Sequence, residues 1–278
     1  MAWGLRARRA FLAGLMIALA AGPLPALADA LDRALARGTL RIGVAEFTPW
    51  TMKEGDRLYG HEIDIGRRVA GDLGVEPEFK LIAFGEIIAA LHSGEIDMIA
   101  AGLAITPERA LEMAFTRPYF RSGVGLATNT AATAEIGSVE ALNAPEITVA
   151  YVAETLAAGY ADVLFPKADL KSFNNAKDAE AAVVGGDAAV YLASLPEARF
   201  LALRNPDRVD LPVTEALVGS AAGFGVAHGE ARLLNWLDAW IVARTEDRWL
   251  SATYDFWFKS LDWETAAADA AASGETTE

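Results

Sequence analysis

The chain has 278 residues, 53% of them hydrophobic and 22% charged, with no cysteine and a formal net charge of −14. That length suits one large domain or two smaller ones, and the composition is too apolar for a disordered chain. Absent cysteine excludes disulfides, thiolate metal sites, a cysteine nucleophile and a lipid anchor on an N-terminal cysteine. The acidic balance argues against nucleic acid as a partner, since phosphate binding needs a basic face.

Residues 1–28 read as a cleavable export signal. Arg6, Arg8 and Arg9 form the positive start, Ala10 to Ala21 the apolar core, and Ala26-Leu27-Ala28 the small-x-small cleavage site. An apolar run of about 12 residues falls short of the roughly 20 that span a bilayer as a helix. Arg8-Arg9-Ala10-Phe11-Leu12 also resembles a twin-arginine signal, although an arginine pair occurs in ordinary signals too. Cleavage would leave a chain of about −17 formal charge, suited to a soluble monomer and repelled by anionic membranes.

Beyond the signal, strand-like and helix-like segments alternate, the pattern of an α/β protein with largely parallel sheets. Leu40 to Ala45 is a short apolar run. His61 to Leu73 carries a helical pattern that Gly74 would end. Glu78 to Ile82 reads as a strand, Gly85 to His92 as a helix and Ile96 to Ala101 as a buried strand. A second series begins with strand Ile147 to Val152 and helix Glu154 to Leu164. Strand Leu170 to Phe173, helix Ala176 to Val184 and strand Asp187 to Leu192 complete it. Between the series, Thr128 to Pro145 is rich in small and polar residues, as a linker or domain crossing would be. Five of the seven tryptophans lie between Trp236 and Trp263. Leu233, Trp236, Leu237, Trp240 and Ile241 share one helical face, which suits either packing on a sheet or an aromatic ligand cage. Residues 264–278 hold little to bury and read as a disordered tail.

Ile105-Thr106-Pro107-Glu108-Arg109 carries the chemistry. Threonine caps free backbone N–H groups and proline is pre-set for the first helical position, so a strand, a loop and a helix start follow one another. Such a start favours an anion. Arg109, in the first turn, has a planar fork suited to a carboxylate. A surface arginine paired with Glu112 is the other reading.

The segment "ALHSGEIDMIAAGLAITPERALEMAFTRPYF" resembles the signature of the family 3 extracytoplasmic solute-binding proteins, receptors of polar amino-acid ABC transporters. "LYGHEIDIGRRVAGDLGV", "ITVAYVAET", "GDAAVYLASLP", "LLNWLDAWI" and "RWLSATYDFWF" resemble further blocks of that family, so the likeness runs from Leu40 to Trp263. It implies a two-lobed, type II periplasmic-binding-protein fold, each lobe a mixed sheet flanked by helices. Lobe 1 would comprise 29–128 plus 219–263, and lobe 2 would comprise 129–218. It further implies a periplasmic receptor that hands a small carboxylate, most simply an amino acid, to ABC permease subunits. By resemblance, Arg109 holds the ligand's carboxylate and Phe47 covers the ligand. Phe84 lines the apolar wall, Gly102 and Ala104 lie on the carboxylate loop, and Thr155 stands near the carboxylate from the second lobe.

Three departures bear on specificity. Ala104 stands where relatives often carry serine or threonine, and Glu154 stands where a glycine is familiar. Leu192 occupies the position, five after Asp187, where many amino-acid binders place an aspartate for the ligand's ammonium. An unpaired ammonium in a closed cleft is costly. Glu154 is one candidate replacement, or simply a solvated helix-start acid; the hydroxyls of Tyr151 and Tyr191 are others. Without a replacement, the ligand would be a carboxylate lacking the amino group.

His61, His92 and His228 have no metal-ligand spacing, and no nucleophile elbow or P-loop is present. No metal, cofactor or catalytic residue is therefore expected. Asp97 and Asp187, each after a glycine-containing turn, read as turn acids. Two alternatives stand beside transport. One is a cyclohexadienyl or arogenate dehydratase on the same fold, with Glu154 as its acid; the other is a ligand sensor.

Overall fold

The computed structural model describes residues 29–259 and Trp263; the expected export signal at 1–28 and tail at 264–278 lie outside the described residues. Helix α1 (Ala30–Arg37) starts where the Asp29 carboxylate accepts from the Leu31 amide, and ends at Gly38 in the left-handed region. Strand β1 (Thr39–Val44) follows, then a short hairpin of β2 (Met52–Glu54) and β3 (Arg57–Tyr59). Helix α2 (His61–Leu73) ends at Gly74, φ 79°, as the glycine suggested. Its Ile63, Ile65, Val69 and Ala70 are buried, and each large aliphatic among them contributes about 1.5–3 kcal/mol. Strand β4 (Glu76–Leu81) returns parallel to β1, register Thr39 to Glu76. Helix α3 (Ile87–His92), β5 (Met98–Ile99), α4 (Pro107–Glu112) and β6 (Ala114–Phe115) complete this run.

These strands form a five-stranded sheet in the order β4-β1-β5-β13-β6, where β13 is Gly225–Val226 from much later in the chain. Asp97, only 3% exposed, is more than a turn acid. It accepts from the Arg41 amide at 2.9 Å and from the Arg41 and Arg37 guanidiniums at 2.7 and 2.5 Å. That pins the start of β1 to the approach to β5.

The second sheet holds β7 (Phe120–Asn129), β8 (Thr148–Val152), β9 (Asp169–Phe173), β10 (Val190–Ser194), β11 (Val209–Asp210) and β12 (Val218–Ala222). Its order is β11-β7-β10-β8-β9, with β12 antiparallel on the free part of β7. Helices α5 (Leu156–Leu164), α6 (Ala176–Gly185) and α7 (Leu195–Arg204) pack on it. Threonine, asparagine and serine cap them: Thr155, Asn175 and Ser194 each accept from an amide three residues on.

The chain passes between sheets at 116–119 and returns at 223–224. The two passages run side by side: the Tyr119 amide donates to Ala222 O, and the Thr116 amide to Phe224 O. Expectation differed here. Thr128 to Pro145 is no crossing, because β7 and β8 on either side of it belong to the same sheet. Strands 120–129 and 218–222 pair within the second sheet, whereas the expected lobe boundaries fell at 128 and 219.

Helix α8 (Ala231–Glu246) buries Leu233, Leu237, Trp240 and Ile241, and α9 (Trp249–Phe258) follows. The Trp240 ring packs between Phe224 and Trp249 while its N–H donates to Asp72 at 2.8 Å. The tryptophan-rich segment is core packing, not a cage. Among the described residues, no helix is long and apolar enough to cross a membrane.

Candidate ligand-binding site

Between the two sheets lies a cleft with about 70 Å³ of space that a water-sized sphere can occupy. Of the expected residues, Phe47, Phe84, Gly102, Ala104, Arg109 and Thr155 line it. They come from four separated stretches, which the fold brings to one place.

Arg109 stands where the sequence pattern placed it. The Thr106 hydroxyl accepts from the Arg109 amide at 3.3 Å, and Pro107 opens the helix. The guanidinium donates to two backbone carbonyls, Ala104 O at 3.1 Å on its own side and Glu154 O at 2.8 Å across the cleft. It lies over the Phe84 ring, 5.5 Å from the centroid. Among the described residues it has no salt bridge; the reading that pairs it with Glu112 does not hold. Burial lowers its proton affinity below the ordinary arginine value, while Glu108 and Glu154 oppose that. It stays cationic.

Phe47 and Phe84 meet edge to face, ring centroids 5.3 Å apart, and form one apolar wall. Gly102 takes φ 58° with the Trp50 ring directly over it. Its amide donates to the Tyr119 hydroxyl at 3.2 Å, and that hydroxyl donates to Glu62 at 2.8 Å. The Gly102 amide, on the loop that the resemblance assigns to the carboxylate, is thus engaged by the protein. The Thr155 hydroxyl donates to Val152 O and accepts from the Ala158 amide, so it works as a helix cap. Leu156 and Ala157, the next two residues, line the cleft beside it.

Glu154 takes part through its main chain. It holds φ 63°, a left-handed conformation that glycine adopts freely and that costs a side-chain-bearing residue about 1–2 kcal/mol. That geometry aims its carbonyl at Arg109. Its exposed carboxylate is turned over Gly85, where an added Cβ would collide with it. It is not among the residues lining the cleft, nor is Tyr151.

Leu192 lines the cleft, fully buried, with no acid at that point. An acid does lie further along: Glu197, in the first turn of α7, faces the cleft with Ser194 and Tyr191. Sequence reasoning missed it. Ser194-Leu195-Pro196-Glu197 is a capping box, a signal that was there to be read. The Glu197 amide donates to the Ser194 hydroxyl at 3.4 Å. Burial raises the Glu197 carboxyl to about 7, against hydrogen bonds from Ser194 and the Trp50 indole that pull it down. Tyr191 is fully buried beside it, its hydroxyl without a partner.

The histidines are structural. His92 and His228 each meet a carbonyl at the end of α4, Glu112 O at 2.6 Å and Leu111 O at 3.3 Å. His61 is buried beside Glu62. Among the described residues no group of three acids or histidines is placed to hold a metal ion.

Comparison with known proteins agrees with this picture. The family model for bacterial extracellular solute-binding proteins, family 3, matches residues 40–260. The L-cystine-binding protein TcyJ of Escherichia coli is 32% identical over 122 residues, 42% of this chain and 46% of that protein. The arginine-binding extracellular protein ArtP of Bacillus subtilis is 32% identical over 76 residues, 27% of this chain and 30% of that one. The chain thus aligns with less than half the length of these relatives. Among solved structures, the ancestral amino acid-binding protein AncCDT-1, a precursor of cyclohexadienyl dehydratase, superposes with a TM-score of 0.76 at 31% identity. That match covers 83% of this chain and all of the other. An ancestral arginine-binding protein bound to arginine matches at 0.72 and 29% identity, covering 80% and 99%. These relatives are named as binding proteins, not enzymes. With mixed sheets flanked by helices and a match spanning most of its length, the chain belongs to family 3 of the bacterial extracellular solute-binding proteins.

Proposed function

We propose that this chain is a periplasmic receptor for an amino acid, which it hands to an ABC permease. One observation carries the reading: Arg109 lies partly buried in the cleft, bonded only to carbonyl oxygens among the described residues. A guanidinium so placed lacks an anion, and a carboxylate is the anion its fork fits. Phe47 and Phe84 supply the apolar wall, and the start of α5 faces the same space. Glu197 is the counter-charge for the ligand's ammonium, in place of the acid missing at Leu192 and of Glu154, whose carboxylate points elsewhere.

In this reading the chain folds as two lobes joined at 116–119 and 223–224, each carrying one half of the site. The Arg109 bond to Glu154 O ties them across the cleft, and closing on a ligand excludes water. Residues 1–28 direct export, the receptor works as a monomer, and no cofactor takes part.

The test is a thermal-shift screen of refolded, ligand-free mature protein against the twenty amino acids and their deaminated analogues. A ligand at a thousand times its Kd adds about 4 kcal/mol of stability, a plain shift in Tm. Amino acids should shift it, and analogues without the amino group should not. A response to the deaminated acids alone would remove the ammonium role of Glu197 and the amino-acid reading with it.

A further inference from the structure

Glu62, in the first turn of α2, is fully buried beside the equally buried His61, whose Nδ1 lies 3.5 Å from its Oε1. That oxygen accepts from the Tyr119 hydroxyl at 2.8 Å, and the other carboxyl oxygen has no hydrogen-bond partner among the described residues. Burying an acid on these terms costs stability, so packing does not account for it. What the carboxyl does is orient its tyrosine. It takes the hydroxyl's proton, which leaves a lone pair of the hydroxyl oxygen for the Gly102 amide, 3.2 Å away. Burial, with Glu62 beside it, holds the Tyr119 hydroxyl well above its ordinary titration range, so the proton stays there to be donated.

The Tyr119 ring is itself fixed. It stacks on Phe224, centroids 4.3 Å apart and 13° from parallel, and its amide donates to Ala222 O. Gly102 is thereby gripped on two sides, by the hydroxyl at its amide and by the Trp50 ring, 3.3 Å from where a Cβ would stand. Two residues on, Ala104 O accepts from the Arg109 guanidinium at 3.1 Å. A continuous chain of hydrogen bonds and backbone runs from α2 to Arg109.

We propose that Glu62 and Tyr119 are positioning residues for the cleft. The carboxyl orients the hydroxyl, the hydroxyl holds the Gly102 amide, and the loop so held sets the Ala104 carbonyl that places Arg109 for the ligand's carboxylate. Neither residue is among those lining the cleft, so both act through Arg109 rather than on the ligand. A cation held in place beforehand loses less freedom when the ligand arrives, and the difference appears as affinity. This role rests on the amino-acid reading above.

The probe is whichever of the twenty amino acids raises the Tm of the mature protein most. Tyr119→Phe keeps the stacked ring, removes the hydroxyl and should weaken binding of that amino acid about tenfold, the scale of one lost buried hydrogen bond. Arg109→Lys has no fork to place, so in that background the same change should alter affinity by less than about twofold. An equal loss in both backgrounds would mean general loosening and overturn the proposal, as would an affinity for Tyr119→Phe matching the parent. For Glu62, variants of similar length separate the acceptor from bulk. Glu62→Gln keeps an oxygen for the hydroxyl and should stay within about threefold of the parent, while Glu62→Met should fall as far as Tyr119→Phe. Equal affinities of those two would remove Glu62 from the chain. Hydrogen exchange of the Gly102 amide in ligand-free protein reads the anchoring directly and should be about tenfold faster in Tyr119→Phe. Unchanged exchange overturns the proposal, even where a variant binds too weakly to titrate. A parent that binds none of the twenty would instead sink the amino-acid reading, with the exchange result still deciding whether Gly102 is anchored.

Discussion

The two sides of the cleft are built by the same local device with different residues. On the first-sheet side a strand leads to Gly102 at φ 58°, then to the Thr106 cap and α4. On the second-sheet side a strand leads to Glu154 at φ 63°, then to the Thr155 cap and α5. What covers the left-handed residue separates them. The Trp50 ring lies on Gly102, 3.3 Å from where a Cβ would stand, whereas Glu154 is exposed. The first side needs glycine for space as well as conformation. The second needs only the conformation, and can host a side chain at a conformational cost.

The largest effect expected from this contrast is on binding. Arg109→Ala removes the cation that lines the cleft from the first side and should weaken amino-acid binding by about 3–5 kcal/mol, the scale of truncating a buried charged pair. Calorimetric titration reads this directly. An affinity within twofold of the parent would mean the carboxylate is held elsewhere.

Gly102→Ala should come next, with a stability loss of about 2 kcal/mol. A left-handed alanine is strained, and its Cβ would press on the Trp50 ring. Urea unfolding of the ligand-free protein measures it. A change below 0.5 kcal/mol, on the order of an ordinary surface substitution, would show that Trp50 moves aside freely.

The second side should reveal itself through pH. Burial raises Glu197 to about 7 and Glu180 to about 8, so the folded chain holds protons that the unfolded chain has released. Stability contributed by these protons is present below the ordinary carboxyl range and is lost as pH rises through about 7 to 8. The drop should be on the order of 1 kcal/mol, allowing for the partial exposure of both residues. Glu180→Gln should remove most of it. Unfolding free energies at pH 5.5 and 8.5 that match in both proteins would show that burial does not raise these two carboxyls.

How much of this was legible in the sequence follows the same division. Arg109 was readable because its placement is local: Thr106 and Pro107 set the helix start, and the arginine follows within one turn. Glu197 carries an equally local capping box. What the box does not show is that this acid faces the cleft, where the Trp50 indole, far away in sequence, hydrogen-bonds to it. The crossings at 116–119 and 223–224 were hidden for a related reason. They are short and lie next to strands, whereas the polar stretch 128–145 looks like a linker and connects neighbours in one sheet. Asp97 read as a turn acid because its partners, Arg37 and Arg41, lie about sixty residues earlier. Local chemistry was visible; pairings across the fold were not.

The smallest predicted effect tests whether the second side tolerates its side chain or uses it. Glu154→Gly relieves a left-handed residue, worth about 1–2 kcal/mol, against the greater freedom of glycine in the unfolded chain. The net should be a gain of about 0.5–1 kcal/mol in urea unfolding. The carbonyl that receives Arg109 remains in the variant, so affinity for amino acids should stay within about twofold if only the main chain matters. Glu154→Asn, which accepts the same conformation with a shorter side chain, should behave alike. If both variants unfold more easily, the carboxylate over Gly85 stabilises the closed arrangement by more than the strain costs. The side chain would then belong to the contact that Arg109 makes across the cleft.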